Sequence, residues 1–295
     1  MKLTFYKGDI PNFGDDLNNI LWDALIAPGF FDDNEEELFL GVGSILWDYL
    51  PPNSKKIVMG SGYGGYSGKP NLQDGSWDVA FVRGPRTAKA LNLDPKLAIT
   101  DAAILTRFMN LPAQVKKYKV SFMPHWESIN RGNWKLVCEQ AGINYIDPTD
   151  PNVLASLQAI QQTELLITEA MHGAILADTL RVPWLALEPI FPLHRNKWFD
   201  WSESMLIDLH FNAMPSSSIK DLWSHKTGKQ GLGKRSEQLG SLLSFTNSYF
   251  IDRAAEKLLM LAKNHGQMSK DNIFIEKSEM ALEKLSKYCK VNFFD

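Results

Sequence analysis

Along the chain, short apolar runs alternate with polar or glycine-rich breaks. KLTFY runs into Lys7-Gly8-Asp9, ELFLGV into Gly43-Ser44, KIVMG into SGYGG and VAFVRG into Pro85-Arg86-Thr87. LAIT ends at Asp101, KVSFM at Pro124-His125, LLIT at Glu169 and PWLAL at Glu188. Runs this short, bounded this way, predict strands, and stretches between them such as DDLNNILWDALI and RTAKALNL carry helical patterns. Strand, turn and helix in alternation predict parallel sheets with crossover helices. One sheet is expected from Met1 to about Pro112 and another from about Lys117 to His210. The last third differs. FIDRAAEKLLMLAKNH and IEKSEMALEKLSKYC place apolar residues at i, i+3 and i+4 and predict amphipathic helices that pack back across the domains. Neither has the aromatic, strongly basic face of a helix that lies on a membrane.

In an open parallel sheet, ligands bind outside the carboxyl ends of the strands. Arg83, Asp101, His125, Glu169, His172 and Glu188 all fall just after a predicted strand. The stretch LLITEAMHGAILADTL, Leu165 to Leu180, is apolar around Glu169 and His172. His172 and Gly173 open a short helix whose free N–H groups favour an anion. Three residues apart at a helix start, Glu169 and His172 share a face. Each alone has an ordinary explanation: a first-turn carboxylate gaining about 0.3–1 kcal/mol from the helix dipole, and a half-buried histidine. The pair, set between two buried runs on a ligand-binding rim, points to function.

The glycine-rich segment GSGYGG, Gly60 to Gly65, matches a dinucleotide fingerprint in letters only. YSGKPNLQDGSW follows, so no helix is expected to receive a pyrophosphate, and a flexible loop over the site is the better reading. Gly68-Lys69 is followed by Pro70, which rules out a P-loop.

Composition narrows the class. Of 295 residues, 44% are hydrophobic and 22% charged, as in a globular protein. The net charge of −3 gives no basic field for nucleic acid. Cys138 and Cys289 stand in no ligand spacing, which excludes a zinc knuckle and suits a reducing compartment. The N-terminus lacks a signal-peptide core and no apolar run spans a bilayer. A cytoplasmic location is expected. Lys220, Lys226, Lys229, Lys234 and Arg235 cluster between Ser216 and Leu239, and a solvated connector is favoured there over contact with anionic lipid at the cytoplasmic membrane face.

NFGDDLN (Asn12 to Asn18), RGPRT (Arg83 to Thr87), TDAAIL (Thr100 to Leu105), FMPHW (Phe122 to Trp126), TEAMHGAILAD (Thr168 to Asp178) and NKWFDW (Asn196 to Trp201) occur in this order. Together they resemble the polysaccharide pyruvyl transferase family, especially its bacterial exopolysaccharide branch. The resemblance covers roughly the first two-thirds of the chain. It implies an α/β fold of two Rossmann-like domains facing across a cleft, GT-B-like, with C-terminal helices. Residues 1–114 would form the acceptor-side domain and 115–295 the donor-side domain. It also implies transfer of the enolpyruvyl unit of phosphoenolpyruvate, as a cyclic ketal, onto two hydroxyls of a sugar, with release of phosphate. The sugar would belong to a lipid-linked or polymeric glycan.

Phosphoenolpyruvate is a small trianion that needs several cationic or N–H donors, and its methylene carbon must gain a proton, so a general acid and a base are required. His172, Glu169 and Asp101 are the candidate catalytic residues, with His125 as an alternative base. Arg83, His125, His172, Gly173, Arg195 and Lys197 are the candidate donor-binding residues, and Asn12, Asp15, Asn18 and Trp126 face the acceptor; Asp15 also suits a helix cap. In many relatives an Arg stands two residues before this His; here that position is Ala170, and Lys197 is the expected replacement for its charge. Among Trp126, Trp134, Trp198 and Trp201, one or two are expected to stack on sugar and the rest to pack in the core. No cofactor or metal is expected beyond the co-substrate. A nucleotide-sugar glycosyltransferase and a non-catalytic glycan-binding protein are the rival readings.

Overall fold

Two parallel sheets form from the apolar runs in a computed structural model that describes residues 1–228 and 246–289. The chain divides into two compact units. The first comprises Met1–Pro112, Leu193–Leu209 and the described residues from Ser269 on; the second comprises Ala113–Pro192 and the described residues of His210–Met268.

In the first unit, β1 (Lys2–Thr4), β2 (Glu37–Leu40), β3 (Lys55–Met59) and β4 (Trp77–Phe81) pair in that order, all parallel. Leu38, Phe39, Leu40, Ile57 and Val58 are buried, as expected where helices and loops cover a parallel sheet. Two helices, α1 (Phe13–Asp16) and α2 (Asn18–Leu25), follow β1; α3 (Pro85–Ala90) and a 3-10 helix (Ala102–Phe108) follow β4. LAIT, expected as a strand before Asp101, makes only one bridge, Val82 to Ala98. Pro95 opens a 3-10 turn over Pro95–Leu97, which takes up the start of that run.

In the second unit, β5 (Tyr118–Met123), β6 (Asn144–Tyr145), β7 (Thr163–Thr168), β8 (Trp184–Leu187) and β9 (Phe211–Asn212) lie in the order β6-β5-β7-β8-β9, again all parallel. The chain steps from β5 outward to β6 and then returns to the far side of β5 for β7. That reversal makes the β5/β7 edge a topological switch point, where open α/β sheets bind ligands. The helices are α4 (Trp126–Ile129), α5 (Trp134–Ala141), α6 (Val153–Gln161), α7 (Met171–Thr179), α9 (Ile219–Thr227) and α10 (Asn247–Leu261). Ala254, Ala255, Leu258 and Leu261 of α10 join Trp134, Val137 and Cys138 of α5 and Phe122, Ile167 and Leu185 of the sheet in one core. Burial pushes the Cys138 thiol up to about 12, so it is an inert apolar filler.

Two helices correct the expected layout. The segment after Pro192, placed by sequence in the second domain, belongs to the first unit as α8 (Pro192–Ser204). Asp200 is the reason: its carboxylate accepts from Arg83 Nε at 3.0 Å, Thr87 N–H at 2.9 Å and Thr87 Oγ1 at 2.6 Å, all in the first unit. The two C-terminal helices also part company. α10 packs in the second unit, while α11 (Asp271–Cys289) packs in the first, where Ser278 bonds Arg107. In the basic stretch, Lys220 and Lys226 lie on α9, whereas Lys229, Lys234 and Arg235 lie outside the described residues. Among the described residues, no helix is long and apolar enough to cross a membrane.

Candidate active site at the β5/β7 edge

The registers Phe122↔Ile167 and Met123↔Thr168 bring the ends of β5 and β7 side by side. The residues that leave these strands, Pro124-His125 and Glu169-Ala170, therefore start from one edge. The Glu169 backbone N–H donates to Met123 O at 3.0 Å, and its Oε2 accepts from the His125 N–H at 3.1 Å, which fastens the two turns together.

Glu169 is the hub. Ser128 Oγ on α4 also bonds Oε2, and Arg131 Nη2 donates to Oε1 at 3.2 Å. Arg131 Nη2 reaches Ser128 Oγ at 2.6 Å, and Nε reaches Asp221 Oδ1 of α9 at 3.1 Å. The guanidinium is 1% exposed and lies between two carboxylates, with Nη1 buried and without a hydrogen-bond partner among the described residues. Ser217 N–H donates to Asp221 Oδ2 at 2.9 Å, and Ser218 Oγ caps α9 at the Asp221 N–H, 3.0 Å, while donating to Arg131 O. Burial raises the Asp221 pKa, Glu169 adds to the rise, and Arg131, the Ser217 N–H and His225 oppose it. Two carboxylates sharing one cation in a dry place leave one of them easier to protonate. Sequence reading missed Ser128, Arg131 and Asp221. Arg131 lies in the turn just after α4, where no periodicity marks it, and Asp221 is far away in sequence, on α9.

His172 is the second residue of α7 and is half-buried, while Met171 and Gly173 through Thr179 are buried. His172 is thus the only residue of α7 that is not fully buried, although its Nε2 is itself shielded from solvent. Ala170, the N-cap, offers no side-chain bond to the first turn. Thr168 Oγ1 instead accepts from the Ala170 N–H at 3.0 Å. A Cβ at Gly173 would stand 2.7 Å from Thr168 Oγ1 and 2.9 Å from Met123 Sδ. Glycine there lets α7 start directly against β5 and β7. His125 is half-buried, with Nδ1 3.5 Å from Glu127 Oε2 and its ring beside Trp126 at 5.9 Å between centroids. The edge thus gathers Glu169, His172, Gly173, His125 and Trp126 of the expected residues, and adds Glu127.

Other expected site residues have different work. Arg83 is fully buried and bonded to Asp200 and to Ser44 Oγ at 2.8 Å, which ties most of its guanidinium to partners within the first unit. A Cβ at Gly62 would lie 2.1 Å from Arg83 Cζ, so that glycine of GSGYGG seats the arginine and not a pyrophosphate. The same loop, expected to be flexible, is tied by Gly62 N–H to Gly43 O at 2.9 Å, Tyr63 N–H to Thr87 Oγ1 at 3.0 Å and Tyr63 OH to Ser67 O at 2.9 Å. Asp101 is buried and caps the following 3-10 helix, its Oδ1 accepting from the Ala103 N–H at 3.0 Å.

Asn18 is 1% exposed, and its amide donates to Asp15 O and Val42 O and accepts from Trp22 Nε1 and Val42 N–H. All four capacities are taken, so it stitches α2 to the end of β2 and has none left for an acceptor. Asn12 caps α1 at the Gly14 N–H and donates to Asp15 Oδ2 at 2.7 Å; both remain half-exposed. Arg195 and Lys197 stand on α8 in the first unit, where Lys197 Nζ lies 5.3 Å from the centre of the Tyr66 ring. Of the four tryptophans weighed for sugar stacking, Trp134, Trp198 and Trp201 are buried, and only Trp126 is half-exposed.

Residues 3–189 match the polysaccharide pyruvyl transferase family. The chain is 40% identical over 221 residues, 74% of its own length and 69% of the relative's, to the "Succinoglycan biosynthesis protein ExoV" of Rhizobium meliloti (strain 1021). No solved structure matches it. The match spans β1 through the end of β8, and with it the whole β5/β7 edge, so the chain belongs to the polysaccharide pyruvyl transferase family.

Proposed function

We propose that the chain transfers the enolpyruvyl unit of phosphoenolpyruvate onto two hydroxyls of a sugar in a cell-surface polysaccharide or its lipid-linked precursor, and that the donor binds at the β5/β7 edge. The observation that carries this reading is His172 at the uncapped start of α7, on a topological switch point. The first-turn N–H groups of Met171, His172 and Gly173 face the direction in which helices hold anions, and His172 adds a side-chain donor. Ala170 leaves this approach open where a larger side chain would occupy it.

In this account His172 delivers a proton to the methylene carbon, which becomes the methyl group. The positive charge that develops at the adjacent carbon is met by a sugar hydroxyl, whose proton passes to a base. The second hydroxyl then forms the second C–O bond as the phosphate C–O bond breaks, and its proton leaves with phosphate. His125 is the base we assign, because its ring stands at this edge with Nδ1 3.5 Å from Glu127 Oε2, a carboxylate that can hold the ring in one orientation. Glu169 is a positioning residue: its oxygens hold the His125 turn, Ser128 and Arg131.

The test is mass spectrometry of neutral hexose oligosaccharides and lipid-diphosphate oligosaccharides incubated with the protein and phosphoenolpyruvate. A product heavier by one pyruvate less one water, with one phosphate released per product, is expected. Transfer of a hexose from a nucleotide sugar under the same conditions would replace this reading with glycosyl transfer.

A further inference from the structure

Three tyrosines stand out of the first unit: Tyr6 after β1, Tyr49 after β2 and Tyr66 after β3, at 45, 67 and 48% exposure. Each follows the carboxyl end of a strand in a sheet whose neighbours are parallel, so the three share one edge of that sheet. Trp47 and Tyr49 stack with centroids 5.3 Å apart and planes 13° from parallel, so Trp47 backs the more exposed Tyr49 ring. Asp48, between them in sequence, is exposed. A Cβ at Gly68 would lie 2.2 Å from Asp48 Oδ2, which shows that the loop after β3 closes against this carboxylate. Burial, then Asp48 and Tyr6, raise the Tyr49 pKa, so its hydroxyl stays protonated and able to donate.

We propose that this edge is a carbohydrate subsite: the exposed Tyr49 ring, backed by Trp47, receives the C–H face of a neutral hexose unit, and Asp48 accepts from its hydroxyls. Aromatic faces are negative and attract weakly positive C–H groups, and a few placed polar atoms fix orientation. A nucleobase would stack on the same rings, but the Asp48 carboxylate repels its phosphates. An apolar protein partner would leave Asp48 buried without a bond, which costs about 1–3 kcal/mol or more for a charged group. A polyhydroxylated ring satisfies both the aromatic face and the carboxylate. Its role as a site for the acceptor glycan rests on the pyruvyl-transfer reading above; its chemistry does not.

Saturation-transfer NMR on the full chain, with cellotetraose, maltotetraose and lactose as probes, tests the proposal. At least one probe should receive saturation on its ring C–H protons, with a Kd no weaker than about 10 mM, and Tyr49→Ala should weaken it at least fivefold. Trp47→Ala should do the same; because Trp47 also packs on the core below it, the exposed Tyr49 is the decisive variant. Tyr49→Phe should retain most of the binding. A response unchanged in Tyr49→Ala, or no response from any probe, would overturn the subsite. Phosphoenolpyruvate titrated into the same samples separates the two ideas: saccharide binding lost in Tyr49→Ala without phosphoenolpyruvate binding in the wild type keeps the subsite and sinks pyruvyl transfer, and the reverse pattern does the opposite.

Discussion

Arg131 holds two carboxylates in a place with almost no solvent, and its removal exposes what that arrangement is for. Arg131→Met leaves Glu169 and Asp221 as neighbouring buried acids, so the fold should lose about 3–5 kcal/mol, read as a lowered urea midpoint. A loss below about 1 kcal/mol would mean that the trio is no more than a surface-like pair. Asp221 supplies a pH signature. Its pKa is raised above 3.8, so its ionisation costs the folded state. Its contribution is fully present below the unfolded value and is lost as pH rises through the raised one. The stability advantage of wild type over Asp221→Asn should therefore shrink from about pH 4 upward, measured by urea unfolding across pH. An advantage that grows with pH would show that Arg131, and not burial, governs this carboxyl.

At the scale of elements, α7 is seated by a contact that only glycine allows. Gly173→Ala puts a methyl 2.7 Å from Thr168 Oγ1, and overpacking of this kind costs about 1–3 kcal/mol. Because the shift falls at the helix start, donor affinity should drop along with the melting temperature. The reverse substitution next door, Ala174→Gly, would lower stability without that steric push. Alternation of apolar runs and breaks made most strands legible, since ELFL, KIVMG, LLIT and PWLAL are buried runs between turn residues. It failed at LAIT, where Pro95 sets up a 3-10 turn, and it passed over β6 and β9, each two residues long and without a period to read. The site was legible where chemistry follows a strand, as at Glu169, His172 and His125. The buried bonds of motif residues were not legible: Arg83 meets Asp200 and Asn18 meets Val42, partners that lie elsewhere in the chain. Local sequence does not state which buried acid a buried arginine will meet.

The whole molecule is two parallel-sheet units with a family match that runs from β1 to the end of β8. The first unit carries α8 with Arg195 and Lys197 and the aromatic edge; the second carries the switch point with His172. Loss of the Asp200 anchor should disturb the first unit alone. Asp200→Ala leaves Arg83 buried without its carboxylate, which should cost about 3–5 kcal/mol and should appear by hydrogen exchange as opening of β4, α3 and α8 while β5 and β7 keep their protection. The claim on which the rest depends is that the start of α7 holds the donor. Calorimetric titration of phosphoenolpyruvate into wild type and His172→Ala, with a nucleotide sugar as the second ligand, tests it most directly. The account predicts saturable phosphoenolpyruvate binding that the substitution weakens by more than about 1.4 kcal/mol, a tenfold loss, with no response to the nucleotide sugar. Equal affinity in both proteins, or binding of the nucleotide sugar alone, would contradict it.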